Sequence, residues 1–183
     1  MQSLLSHFRT ATKASHELLD SAFGSLDLSD RADYVRFLSG HYMGMAPVIG
    51  QFRNFVEGTL GLQYPDYSRM LREDLAALEV DADSLPGVTP SGEVSPEAAG
   101  YVVSGSRLGL TTLARAGYWG RSHDLPSAYM DDVEGLSIWK STAALLKEDM
   151  PDDARAKRQS MAAVVVFDTF REAFATSAPD PVR

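Results

Sequence analysis

Apolar residues recur at helical spacing along most of this chain, and this period limits the fold more than any other feature of the sequence. Between residues 4 and 23, at about 100° per residue, one helical face collects apolar or small side chains. These are Leu4, Leu5, Phe8, Ala11, Ser15, Leu18, Leu19 and Ala22. The segment is predicted to form an amphipathic helix. No strand pairs are needed to account for the rest of the chain, so the sequence predicts an all-α fold.

Capping residues and breaks in the period divide this fold into six or seven helices. The predicted segments are residues 4–23, 30–56, 65–78, 95–116, 126–147 and 152–174. Asp30 is predicted to cap the second helix, which bends near Pro47 because proline removes a backbone hydrogen bond. Pro65 is placed in the first turn of the third helix, and Ser95 caps the fourth. Residues 1–175 are expected to form one domain, and residues 176–183 a flexible tail.

Composition narrows the classes of partner and chemistry. The chain has 183 residues and a net charge of −8, so it lacks the basic face that a nucleic-acid partner requires. It has no cysteine, which excludes disulfides, thiolate nucleophiles and iron–sulfur clusters. The longest wholly apolar run, residues 161–167, is too short to span a bilayer. We therefore expect a cytoplasmic protein with no membrane partner.

His16 is the candidate metal ligand of the first helix. It lies beside the apolar face, with Thr12 one turn before it, Asp20 one turn after it and Arg9 two turns before it. Asp20 could take the proton of one ring nitrogen and so fix the tautomer that ligates through the other. Arg9 could meet an acid group of a bound cofactor. The alternative is an edge histidine that only packs, and His41, among aromatic residues, is expected to be a core histidine or a neighbour of a ligand.

The fourth helix contains two glycines one turn apart, Gly105 and Gly109. Glycine inside a helix costs about 1 kcal/mol relative to alanine, so the pair needs a compensating reason. One reason is a face without side chains, where a flat or bulky group can approach the backbone. By helical geometry that face also carries Tyr101, Leu108 and Thr112, and Arg107 points nearly opposite. The alternatives are close helix–helix packing, or a flexible helix with no ligand.

Several catalytic motifs are absent from the sequence. His16-Glu17 begins like a zinc-protease helix, but Asp20 stands where the second histidine is needed. No glutamate is followed three residues later by a histidine, which excludes the di-iron bundle pattern. There is also no P-loop, no dinucleotide-binding glycine pattern and no nucleophile elbow.

Two stretches resemble the heme oxygenases. FRTATKASH at residues 8–16, followed by ELLD, resembles their proximal helix. YVVSGSRLG at residues 101–109 resembles their distal helix, especially in the bacterial branch. Weaker likenesses cover MLREDLAAL at residues 70–78 and IWKSTAALLKED at residues 138–149. Together these stretches touch four of the six predicted helices, in the family's order.

The resemblance implies that heme lies between the first and fourth helices. His16 would be the axial ligand of the iron, and Gly105, Ser106 and Gly109 would form the catalytic distal face. Heme contacts are implied for Arg9, Thr12, Asp20, Tyr101, Thr112 and Lys140. Among these, Arg9 and Lys140 stand where family members place cations for the heme propionates, and Lys13 is a nearby substitute.

The implied reaction uses heme as both cofactor and substrate. With O₂ and electrons from an external reductase or ferredoxin, heme is degraded to biliverdin, carbon monoxide and iron. The product would serve iron acquisition or supply a bilin-accepting photoreceptor. Two other functions stay open at this point: a heme carrier or sensor on the same fold, and a relative that binds a different small molecule.

Two departures from the family pattern concern the distal helix. Ser106 stands where animal members carry an aspartate that orders a water molecule, so the proton route is not defined by the resemblance. Leu110 stands where many members carry a further glycine, which leaves open which meso carbon is attacked.

Overall fold

The computed structural model describes residues 2–178, and every regular element in this range is helical. In chain order the α-helices are α1 (Leu4–Gly24), α2 (Arg31–Met45), α3 (Ile49–Arg53), α4 (Tyr67–Ala77), α5 (Pro96–Ala116), α6 (Trp119–Ser122), α7 (Gly135–Glu148) and α8 (Asp153–Thr176). A π-helical turn at Asn54–Thr59 follows α3, and a 3₁₀ turn at Ala82–Ser84 follows α4. The all-α prediction is confirmed, since the six long helices correspond to the six predicted segments.

Side-chain caps fix several helix starts as predicted. Asp30 accepts hydrogen bonds from the backbone N–H groups of Ala32 and Asp33 at the start of α2, and Ser95 accepts one from Ala98 at the start of α5. These bonds satisfy N–H groups that have no partner within the helix. The prediction that Pro65 lies in the first turn of the third helix is wrong, because Asp66 caps α4 and Pro65 lies before the cap.

Two predicted helices have different bounds in the structure. The second predicted helix is interrupted at Pro47, where a turn at residues 46–48 separates α2 from α3. The bend predicted there is therefore a full break. The fifth predicted helix begins at Gly135 instead of residue 126, because the preceding segment is held in turns by side chains. The predicted loop after α5 contains the short helix α6.

Asp74 of α4 holds the segment before α7. Its carboxylate accepts hydrogen bonds from the Ser127 hydroxyl at 2.5 Å, the Ala128 amide at 2.9 Å and the Tyr129 amide at 3.0 Å. Burial raises the pKa of Asp74, although these three donors oppose the shift. The Tyr129 carbonyl, which a helix starting at residue 126 would use internally, accepts a hydrogen bond from the Arg107 guanidinium at 2.7 Å instead. Contacts from α4 and α5 therefore hold this segment in turns, and α7 begins only at Gly135.

The inner face of α1 differs from the predicted one beyond its second turn. Leu4, Leu5 and Phe8 are buried as expected, but Thr12 joins them, whereas Ala11 and Leu18 are exposed. Beyond Thr12, Leu19 and Phe23 border a cavity and are partly buried, whereas Leu18 lies outside the cavity wall and faces solvent.

Arg107 of α5 lies on the side of the helix away from the glycine face, as predicted, and it is almost fully buried. Its guanidinium carbon is 4.9 Å from the ring centroids of both Tyr67 and Tyr129, and its Nε is 3.5 Å from a carboxylate oxygen of Asp132. The Tyr67 hydroxyl donates to the same carboxylate at 2.9 Å. This cluster compensates the buried charge and joins α4 and α5 to the segment before α7.

None of the helices in residues 2–178 has the length and apolar character needed to cross a membrane. The predicted tail begins where α8 ends, at Thr176, and residues 179–183 lie outside the described range.

Candidate ligand-binding site

A cavity of about 590 Å³ lies between α1 and α5, with further wall residues from α2, α7 and α8. Its volume falls within the range of small-molecule and cofactor sites. It brings together eight of the ten predicted site residues, which are Arg9, Thr12, His16, Asp20, Tyr101, Gly105, Ser106 and Gly109. The two stretches on which the sequence resemblance rests therefore face each other across one cavity.

His16 lines the cavity from α1, with one ring nitrogen already engaged. Its Nδ1 is 2.9 Å from a carboxylate oxygen of Asp20 one turn later. Because the carboxylate accepts, Nδ1 carries the proton and Nε2 of the neutral ring has a free lone pair. The His16 ring lies 5.6 Å from that of Phe167 on α8, and its side chain is 56% exposed. The imidazole thus stands at the open edge of the cavity in the tautomer that ligates a metal through Nε2.

The glycines of α5 have different neighbours. A Cβ at Gly100 would lie 2.2 Å from a ring carbon of Phe55, so Gly100 serves close helix packing. A Cβ at Gly105 would lie 3.3 Å from the Trp139 ring, whereas a Cβ at Gly109 would meet no atom within 4 Å. The packing alternative therefore explains Gly100 and part of Gly105. It does not explain Gly109, where the bare backbone faces open cavity.

Two cations lie on the α1 side of the cavity. Arg9 and Lys13 are one turn apart and exposed, and neither forms an ion pair with any residue from 2 to 178. Arg9 and Lys13 are therefore available to an anionic group at the cavity entrance.

The serine and threonine hydroxyl groups of the cavity wall donate to their own helices. Ser106 is exposed, and its hydroxyl donates to the Val103 carbonyl at 2.8 Å. Thr12 donates to the Phe8 carbonyl at 2.7 Å, and its Oγ1 is 3.5 Å from the Tyr101 hydroxyl oxygen. Glu97, the one carboxylate of α5, is not among the residues that line the cavity.

Two predicted site residues do not line the cavity. Thr112 is exposed and its hydroxyl donates to the Leu108 carbonyl, because the wall at this end of α5 is formed by Leu110 and Leu113. Lys140 is also exposed. Its neighbour Trp139 lines the cavity, and consecutive side chains of a helix diverge by about 100°. Thr112 and Lys140 therefore lie outside the cavity wall, and their contacts with a ligand stay predictions.

Several wall residues were not predicted from the sequence: one lies near the end of α1, and the others come from α2, α7 and α8. They are Phe23, Phe37, His41, Trp139, Phe167 and Phe170. Helical period carries no signal for which inward-facing positions border an empty space. The prediction of a buried His41 is confirmed, since it is 8% exposed, and its side chain also lines the cavity.

Among solved structures, the chain is similar to a heme oxygenase from Neisseria meningitidis that was determined with NO and CO bound. The superposition covers 100% of this chain and 96% of the other, with a TM-score of 0.66. This chain has the heme oxygenase fold. The two sequences are 17% identical, and neither a protein-family model nor a curated protein sequence matches this chain. Within the heme oxygenase fold of this chain, the cavity lies between the helix of His16 and the helix of Gly109.

Proposed function

We propose that this protein binds heme between α1 and α5 and degrades it to biliverdin, carbon monoxide and iron, using O₂ and electrons from a separate reductase or ferredoxin. One observation carries the proposal: an imidazole with Nδ1 fixed by Asp20 shares a cavity with the bare backbone at Gly109. The fold is consistent with this function and does not by itself specify it.

The residues of the cavity fit a heme group. A single histidine is a common protein ligand of heme iron, and a hydrogen bond to its other nitrogen makes it a better ligand. The wall behind His16 is apolar, with Leu19, Phe23 and Phe167 among its residues. Arg9 at the entrance provides positive charge for the propionates, with Lys13 beside it. When bound, heme would supply both the iron at which oxygen reacts and the porphyrin that is broken down.

Each of the cavity residues named above would then have a defined role in binding heme. His16 would hold the iron, and Asp20 would keep its ring in the ligating tautomer. Arg9 and Lys13 would orient the acidic edge toward solvent. Gly109 would leave room for the ligand against the distal backbone, and the aromatic wall would pack against the opposite edge.

A non-catalytic heme carrier or sensor is the second candidate. The observation that favours it is the α5 wall of the cavity, which has no carboxylate and whose Ser106 hydroxyl donates to its own helix. Such a wall binds heme without an acidic group to organise proton delivery.

The binding proposal is tested by titrating the protein with hemin and recording absorbance. We expect the parent to give a histidine-ligated Soret band that His16→Ala lacks. His7→Ala is the matched control, because His7 lies on the same helix outside the cavity wall. A parent without a Soret band, or a His16→Ala variant with the parent spectrum, would contradict the proposal.

The reaction is tested on the loaded protein with ascorbate or a ferredoxin system. Loss of the Soret band with growth of a biliverdin band supports degradation. A Soret band that persists without biliverdin supports the carrier instead.

A further inference from the structure

The closed end of the cavity contains one polar side chain among aromatic rings. His41 of α2 has ring-centroid distances of 4.3 Å to both Phe23 and Phe37, and of 6.3 Å to Phe170. The side chain is more than nine-tenths buried and still lines the cavity. The roles given above to α1 and α5 make no use of it.

The tautomer of His41 follows from its one hydrogen bond. Nδ1 is 2.9 Å from the Phe37 carbonyl oxygen, and since a carbonyl only accepts, Nδ1 carries the proton. Nε2 therefore has a lone pair, and nothing in residues 2–178 donates to it. The side-chain nitrogen and oxygen atoms that are shielded from solvent and have no hydrogen-bond partner belong to Arg36, Ser68 and Arg107. Nε2 of His41 is not among them, so it opens onto the cavity.

The surroundings of His41 keep it uncharged. Tyr129 lies 5.5 Å away between ring centroids, and the Arg107 guanidinium lies 4.9 Å from the Tyr129 ring. Burial, together with this positive charge, lowers the pKa of His41 to about 4. A neutral imidazole in this tautomer can only accept at Nε2, and a buried acceptor without a donor costs stability.

We propose that Nε2 of His41 accepts a hydrogen bond from a water molecule at the closed end of the cavity and thereby positions that water beside the bound ligand. The remaining partners of the water are other cavity waters or the ligand. His41 is a positioning residue in this proposal, since it holds the water and keeps its own proton on Nδ1. As a role in heme degradation the proposal rests on the proposed function.

The ligand-free protein provides the first test, which does not depend on heme. In a ¹⁵N-labelled sample, we expect the His41 Nε2 resonance to be shifted from the position of a free imidazole nitrogen toward that of a hydrogen-bonded acceptor. We also expect cross-relaxation between water and the His41 ring protons. The exposed ring of His123, whose Nδ1 also lies near a carbonyl, is the internal reference. An Nε2 shift of a free nitrogen, with no water signal at the ring, would overturn the proposal.

The heme-loaded protein provides the second test, with variants that separate shape from hydrogen bonding. His41→Leu removes the acceptor, and His41→Gln can restore one through its side-chain oxygen. We expect His41→Leu to lower the rate of heme degradation at least 10-fold with less than a 3-fold change in hemin affinity, and His41→Gln to recover most of the rate. Phe174→Leu is the matched control, because Phe174 is buried against Phe23 at this end of the molecule but does not line the cavity.

A His41→Leu variant with the parent rate would refute the role in degradation. A bis-histidine spectrum that His41→Leu abolishes would show that Nε2 binds iron instead of water and would overturn the proposal. If hemin does not bind the parent at all, the proposed function fails, and the measurement on the ligand-free protein still decides whether His41 holds a water.

Discussion

Gly109 offers the sharpest test of the cavity, because side-chain atoms added at this position should affect folding and hemin binding in opposite directions. In the ligand-free protein a Cβ at this position meets no neighbour within 4 Å, so Gly109→Ala removes the helix penalty of glycine without a clash. We expect the free energy of unfolding to rise by about 1 kcal/mol. For a chain of this size that corresponds to a melting temperature higher by roughly 2–4 °C.

Hemin affinity should fall as the side chain grows, because the added atoms occupy space beside the ligand. For Gly109→Leu we expect an affinity lower by about 10- to 100-fold, the equivalent of an overpacking cost of roughly 1.4–2.7 kcal/mol. Chemical denaturation of the ligand-free protein and hemin titration measure the two effects separately.

Gly100→Ala is the control on the same helix. Its Cβ would overlap the Phe55 ring, so we expect a loss of about 1–3 kcal/mol of stability from overpacking. If Gly109→Ala destabilised the ligand-free protein as Gly100→Ala does, Gly109 would be a packing glycine. If Gly109→Leu bound hemin like the parent, the ligand would not lie against this part of α5.

Three further predictions concern buried or paired charges. Asp20→Asn weakens the hydrogen bond to Nδ1 of His16, so hemin affinity should fall about 10-fold in titrations. Glu17→Gln, also in the cavity wall, is the control. Equal losses of hemin affinity in the two variants would contradict a specific role of Asp20. The pKa of His41 is about 4 in the folded protein and 6.5 in the unfolded chain. Between these two pH values the unfolded chain binds more protons, so the free energy of unfolding should fall by about 3 kcal/mol as the pH drops through this range. Denaturation of His41→Leu across the same pH range should lack this component, and an unchanged pH dependence would refute it. Asp132→Ala leaves the Arg107 guanidinium buried without a carboxylate, so urea denaturation should show a loss of about 3–5 kcal/mol, and a loss below 1 kcal/mol would show that the two tyrosine rings suffice.

Features within one helix could be predicted from the sequence. The pairing of His16 with Asp20 follows from a four-residue spacing, and the cap at Ser95 follows from residue type and the proline after it. The orientation of Arg107 away from Gly109 also follows from helical angles. These relations depend only on local geometry, which the sequence specifies directly.

Features that depend on contacts between helices could not be predicted. The start of α7 depends on Asp74, a residue of another helix whose partners no local pattern identifies. Trp139 and Lys140 are adjacent in sequence, and only the packing of α7 against α5 decides which one faces the cavity. His41 was placed among aromatic residues correctly, but its open nitrogen depends on a cavity bounded by several helices.

The wall that α8 contributes has a consequence for biosynthesis. The ring centroids of His16 and Phe167 are 5.6 Å apart, although the two residues lie near opposite ends of the described chain. Phe170 lines the same wall of the cavity. The cavity is therefore complete only once α8 has left the ribosome and packed against α1. Capture of a flat hydrophobic ligand would then be a late, post-translational event, and products of premature termination before α8 would not sequester it.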